Sequence, residues 1–168
     1  MEIDIRKLKR STLYSEELCI RLKENSNGEL FKWFLASILF GARISETIAK
    51  RTYKTFERYS LLEPTRILKA GWNFLINPIM REGGYVGYDG KTSTQILGDC
   101  ETLIKKYDGS LKKLHNESRD SKDLENRLMD FYGIGPITMN IFFTRIKAFL
   151  EKGRPCAIAC CKGNCKEI

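Results

Sequence analysis

The stretch "FYGIGPITMN", residues 131–140, decides how this chain is read. Before it, "SKDLENRLMDFY" (121–132) carries a helical pattern, and Gly133 is placed to end that helix as a residue able to take positive φ. Pro136 lacks an amide proton that a first helical turn does not need, so it suits the start of a last long helix, expected to run to about residue 152. Two helices joined by Gly133-Ile134-Gly135 aim several unpaired amide donors outward where the helix dipole also favours an anion. Glycines let another backbone come close, as gripping a phosphodiester requires. An ordinary hairpin of two packed helices accounts for the same residues, and only the rest of the chain can separate the two readings.

Outward from the turn, apolar residues recur at spacings of three and four and strand signals are nearly absent, which predicts an all-α fold. A first helix is expected over residues 13–24, closed by the polar turn "NSNG". Residues 29–41 are apolar nearly all round, as in a central helix packed on several sides. Ser45 is placed as the N-cap of a helix of about 46–59, and Pro64 opens a short helix to about residue 68. After Asn77-Pro78, the glycines of "REGGYVGYDGKT" (81–92) predict the most flexible loop inside the domain. A helix from about 93 to 107 stops at "YDGS". The length predicts one helical domain, residues 1–152, with a cysteine-rich C-terminal tail over 153–168.

The charge balance is basic, 29 Lys+Arg against 21 Asp+Glu for a formal net charge of +8, which suits a polyanionic partner without proving one. At 42% hydrophobic residues the chain can bury a core. No apolar run reaches the roughly 18 residues of a membrane span, and the longest, "WFLASILFGA" (33–42), has the length of a buried core helix. "MEIDIRKLKR" has no apolar stretch and predicts no secretory signal, so the expected location is cytoplasmic, with thiols reduced unless they bind metal or do redox work.

Three segments in order carry a resemblance. "LFKWFLASILFGARISETIAKRTYKTF", "GYVGYDGKTSTQILGDCETLIKKYDGSL" and "LENRLMDFYGIGPITMNIFF", which ends on a Thr-x-Asn pattern at Thr138 and Asn140, together resemble the helix-hairpin-helix DNA glycosylase superfamily. The resemblance covers residues 29 to about 146. It implies an endonuclease III-like helical bundle of two lobes, with a cleft for double-stranded DNA into which a target nucleotide is rotated. It further implies base-excision repair, with Gly133, Ile134, Gly135 and Thr138 of the hairpin on DNA. Arg43 stands where relatives place a polar residue that fills the gap left by a flipped base. Tyr88 stands where they place a wedging side chain, and Lys91 lies on the loop that would border the cleft.

The chemistry departs from the family's pattern. Relatives with lyase activity carry a lysine two residues after the second glycine, which attacks the sugar C1′ to form a Schiff base; that position here is Ile137. The family's aspartate follows in a stretch loosely like "GRPCAIACC" (153–161), where Cys160 or Cys161 takes its place. Asp89, Lys91, Asp130 and Glu151 are nearby titratable groups that read equally as solvated side chains. Catalytic residues are therefore unassigned. An enzyme hydrolysing the N-glycosidic bond of a damaged base and a non-catalytic DNA-binding or damage-recognition protein both remain open.

Cys156, Cys160, Cys161 and Cys165 follow C-x3-C-C-x3-C, and four thiols so close together invite zinc or an iron–sulfur cluster. The cluster spacing of relatives, C-x6-C-x2-C-x5-C, is different. Metal ligation, buried or merely reduced thiols, and a disulfide stay open. The other cysteines, Cys19 and Cys100, stand alone.

Overall fold

A computed structural model describes residues 14–150, with side chains to Ile146; the cysteine cluster, Glu151 and residues 1–13 lie outside the described residues. Every regular element described is helical, and no strand occurs among these residues. The centre is α1, Asn27–Gly41. Its N-cap Ser26 accepts from the Glu29 amide at 3.2 Å, satisfying one of the donors that a helix start leaves orphaned. Glu29 accepts in turn from the Arg21 amide (2.6 Å) and the Lys32 ammonium (2.6 Å). Burial alone would raise the Glu29 carboxyl, but these donors outweigh it and hold it below its ordinary value. Trp33, Leu35, Ala36 and Leu39 are all 1% exposed or less, so α1 is enclosed on every side, as its composition predicts. The Trp33 indole donates to the Phe142 carbonyl at 3.2 Å, which fixes α1 against the last helix.

The other helices are α2 (Glu46–Arg58), α3 (Pro64–Phe74), α4 (Asp89–Tyr107), α5 (Leu111–Glu117), α6 (Ser121–Met129) and α7 (Pro136–Leu150). Of these, α2, α4, α5 and α7 pack on α1, α3 packs on α4, and α6 packs on α5 and α7. Ser45 caps α2 through the Ile48 amide, and Ala49, Thr52, Tyr53 and Phe56 turn one stripe into the core. The Asn27 side chain donates to the Gly109 carbonyl (3.1 Å) and accepts from the Leu111 amide (2.8 Å), tying the start of α1 to the α4–α5 connection. That connection closes α4 through Asp108 and Gly109, both at positive φ, with the Gly109 amide reaching back to the Leu103 carbonyl at 3.0 Å.

Several boundaries differ from the sequence reading, each for a visible reason. The first segment is not one helix over 13–24. Residues 14–17 are helical, Cys19 takes φ 56°, and a separate 3-10 turn, Leu22–Glu24, follows. Helix α3 runs on past residue 68 to Phe74, with a kink at the non-helical Gly71 (φ 78°), and the segment Leu75–Met80 that follows is itself broken at Asn77, where the backbone is extended (φ −141°, ψ 113°). Residues 81–92 are not one long loop. Arg81–Gly83 form a helical turn, α4 begins at Asp89, and the connection between them is anchored by Tyr85, which is fully buried. Gly83 serves close packing there, since a Cβ on it would sit 2.2 Å from the Thr52 hydroxyl, while Gly84 and Gly87 take positive φ, at 79° and 90°. Helix α5 carries only two buried apolar residues, Leu111 and Leu114, too few for a periodicity signal; its Ser110 cap and tertiary packing stabilise it. Helix α6 ends at Met129, so Phe131 and Tyr132 belong to the turn.

Candidate functional site

The turn 130–135 is the place where the chain exposes backbone in an ordered frame. Gly133 takes φ 71°, a conformation open to glycine at little cost. The Gln95 side-chain amide donates to its carbonyl at 3.1 Å, so α4 holds the turn from one side. Phe131 and Ile134, 3% and 6% exposed, plug the turn into the core, while Tyr132 between them is 60% exposed. Gly135 is the residue from which α7 starts, its carbonyl accepting from the Met139 amide at 3.0 Å. Nothing lies within 4 Å of where its Cβ would be. Among the described residues, the amides of Gly133, Gly135, Ile137 and Thr138 have no hydrogen-bond acceptor in the protein. They are the donors that a helix start leaves for an external anion.

Two close contacts bring other parts of the chain to this turn. A Cβ on Gly41 would fall 2.1 Å from the Thr138 hydroxyl, so the end of α1 lies directly on the first turn of α7. The Tyr85 phenol donates to the Leu39 carbonyl at 3.0 Å, and burial pushes its pKa up to about 12, so it stays a donor throughout the physiological range. Residues 84–88 are thereby tied to the same end of α1.

Arg43, exposed, is two residues beyond Gly41. Tyr88, 40% exposed, is three residues beyond Tyr85 and occupies the position before the first residue of α4, with no capping hydrogen bond from its side chain. Lys91 is exposed in the first turn of α4, not in a loop, one helical turn before Gln95. Neither Arg43 nor Lys91 has an ion-pair partner among the described residues. Ile134 and Thr138 are buried, 6% exposed each, and the Ile134 amide donates to the Phe131 carbonyl at 3.4 Å, so neither side chain is offered to an outside partner. Ile137 is 47% exposed, its side chain outward beside the free amides. Asp130 is the exposed C-cap of α6, and Asp89 the first residue of α4.

Sequence reasoning passed over three residues that build this region. Gln95, half-buried, holds the Gly133 carbonyl, and only the spacing of a glutamine on α4 could have hinted at it. Trp72 is 46% exposed, with its indole N–H on the Thr94 hydroxyl at 3.1 Å and its ring 3.7 Å from where a Gly90 Cβ would be. Asp99 is 1% exposed on the inner side of α4, and neither carboxylate oxygen completes a hydrogen bond. Burial drives its pKa up to about 8; the nearby Tyr132 amide pulls the other way without closing to bonding geometry. The adjacent Cys100 thiol is pushed well above its ordinary value, by burial first and by the Asp99 charge second.

Elsewhere, Leu30, Leu114, Leu128, Phe142 and Ile146 line a small apolar pocket further along α7, with His115 at its edge. It brings no set of polar groups together. No group of three or more potential metal ligands occurs among the described residues, and none of their helices is long and apolar enough to cross a membrane. Comparison with known proteins found no matching family model, no matching curated protein and no matching solved structure.

Proposed function

We propose that this chain is a DNA-binding protein of the helix-hairpin-helix glycosylase kind, built on an endonuclease III-like bundle and serving base-excision repair. The observation that carries the reading is the open turn at Gly133–Gly135. Four amides without internal acceptors stand at the N-terminal end of a 15-residue helix, beside a glycine with free space around it. A phosphodiester fits that arrangement because its oxygens accept from the amides and its charge is favoured by the helix dipole. Arg43 and Lys91 add cations near the same elements, in a chain of net charge +8. Such contacts position a duplex without reading its sequence, as a protein that surveys DNA for damage requires.

Ile137 favours the non-catalytic form of this reading. Its side chain is exposed beside the turn, where a lyase of this kind needs an amine, and an alkyl group forms no Schiff base. Asp99 is sealed beneath the turn and cannot reach a sugar without unfolding its cover. Hydrolysis of an N-glycosidic bond therefore rests on the resemblance alone.

Fluorescence anisotropy on a labelled duplex, titrated with salt, tests the reading. With about three phosphate contacts, affinity falls roughly 40-fold between 50 and 200 mM salt. Salt-independent binding, or none, would discard it.

A further inference from the structure

The outer face of α4 is built differently from a merely solvated helix face. At about 100° per residue, Gly90, Thr94, Gly98, Lys91 and Gln95 fall within an arc of about 140°. The opposite arc carries the buried residues Ile96, Asp99, Cys100 and Leu103. Two exposed aromatic side chains from other elements lie on this face where it has no side chain of its own. Trp72, from α3, lies against Gly90 and is held by its N–H to Thr94. Tyr132, from the turn, lies against Gly98, with its Cβ 3.6 Å from where a Gly98 Cβ would be. Lys91 and Gln95 stand between them, and Gln95 leads directly to Gly133 and the free amides.

We propose that this diagonal row carries an unpaired stretch of DNA strand, with one base stacked on Trp72, the backbone passing Lys91, and a phosphate on the turn amides. The proposal rests on the DNA-binding reading and names its substrate class: DNA with unpaired nucleotides, such as a gap or bulge, rather than intact duplex. Gly90 and Gly98 are separated by about 12 Å along α4. That is room for three or four nucleotides at a stacked spacing of about 3.4 Å, and fewer if the strand is extended. An aromatic ring of 46% exposure offers a stacking face without choosing among bases. The charge is complementary: Lys91 has no ion-pair partner among the described residues, and Glu101, further along the face, is neutralised by Lys105 at 2.7 Å. The ring's hydrogen bond to Thr94 limits its rotation, so less entropy is lost on stacking than for a free surface tryptophan.

The chain offers its own reporter. It has two tryptophans, and Trp33 is fully buried, so a change in indole emission on contact with DNA reports Trp72. Indole emission and anisotropy are read together on three labelled probes: an intact duplex, the same duplex with a three-nucleotide gap, and the single strand. The gapped duplex is expected to bind about tenfold tighter than the intact one and to quench emission, which the intact duplex does not. Trp72→Ala should weaken the gapped complex about tenfold and leave the intact duplex within twofold, while Trp72→Phe, which keeps a ring, retains most of the affinity. Binding of the gapped probe without quenching, or a Trp72→Ala effect equal on all probes, overturns the stacking row and leaves the DNA-binding reading standing. Absence of binding to every probe overturns both. Quenching by acidic lipid vesicles and by no DNA would assign the row to a membrane surface and overturn it as well.

Discussion

Replacing Asp99 by asparagine isolates a buried carboxyl that no partner among the described residues compensates. In the folded chain its pKa is about 8, against an ordinary aspartate value of 3.8. Between those values the folded protein holds a proton that the unfolded chain has released. Folding stability therefore falls as pH rises through this window, by up to about 1.36 kcal/mol per pH unit, and levels off above about pH 8. By pH 6 the native chain has lost about 3 kcal/mol to this group, and by pH 8 about 5 kcal/mol, with no loss below about pH 4. The Asp99→Asn substitution would remove that slope while keeping the shape and an acceptor for the Tyr132 amide. The new amide's own N–H donors, left unpaired, cost about 1–3 kcal/mol at every pH.

The difference between variant and parent is thus expected to change sign. Asp99→Asn is the less stable protein near pH 4 and the more stable one at pH 7 to 8. Urea unfolding of both proteins at intervals from pH 4 to 9 measures this directly, because all other titrating groups are shared and cancel in the difference. In thermal melts, about 3 kcal/mol corresponds to roughly 6–12 °C for a chain of this size. A difference that stays constant across pH 5 to 8 would refute the reasoning, since it would mean that Asp99 is solvated or paired in the folded protein.

Gly135→Asp is expected to leave stability unchanged or slightly raised, because nothing lies within 4 Å of the new Cβ and aspartate is a good N-cap. The same charge should lower duplex affinity about tenfold or more where a phosphate would sit, read by anisotropy beside a melting curve. Gly41→Ala should destabilise by about 1–3 kcal/mol through overpacking against Thr138, and Thr138→Ala in the same chain should recover part of the loss, which a double-mutant cycle measures. Borohydride is expected to trap no covalent complex with an abasic-site duplex, because Ile137 supplies no amine. A trapped adduct would show that another nucleophile acts, with Lys91 the first to replace.

What could be read from the sequence was whatever depends on near neighbours in the chain. Ser45, Pro64 and Pro136 mark helix starts because capping and a missing amide proton act within one turn. Residues 29–41 announce a central helix because their apolar positions leave no solvent face. The positive φ of Gly133 was legible for the same reason, as a local demand, although α6 stops earlier, at Met129 with Asp130 as its C-cap, so that Gly133 is not its terminating residue. The unforeseen helix α5 shows the limit, since "LKKLHNE" has too few apolar residues to reveal that Leu111 and Leu114 fill the core.

The glycines mark the boundary between what is local and what is not. "REGGYVGYDG" looks flexible when each glycine is taken as freedom of the backbone. In the fold, Gly83 is where Thr52 enters, Gly41 where Thr138 enters, Gly90 where Trp72 lies and Gly98 where Tyr132 lies. Each is an absence of side chain that another element uses, and the second partner is far from it along the chain in every pair. The same long-range pairing brings the Tyr132 amide over the buried Asp99. A turn pinned on Gln95, roofing an unpaired carboxyl and opening its amides outward, is assembled by α4 and α7 together. Its stability should therefore respond to Asp99 while its affinity for an anion responds to Gly135, two properties of a single turn that separate variants can move independently.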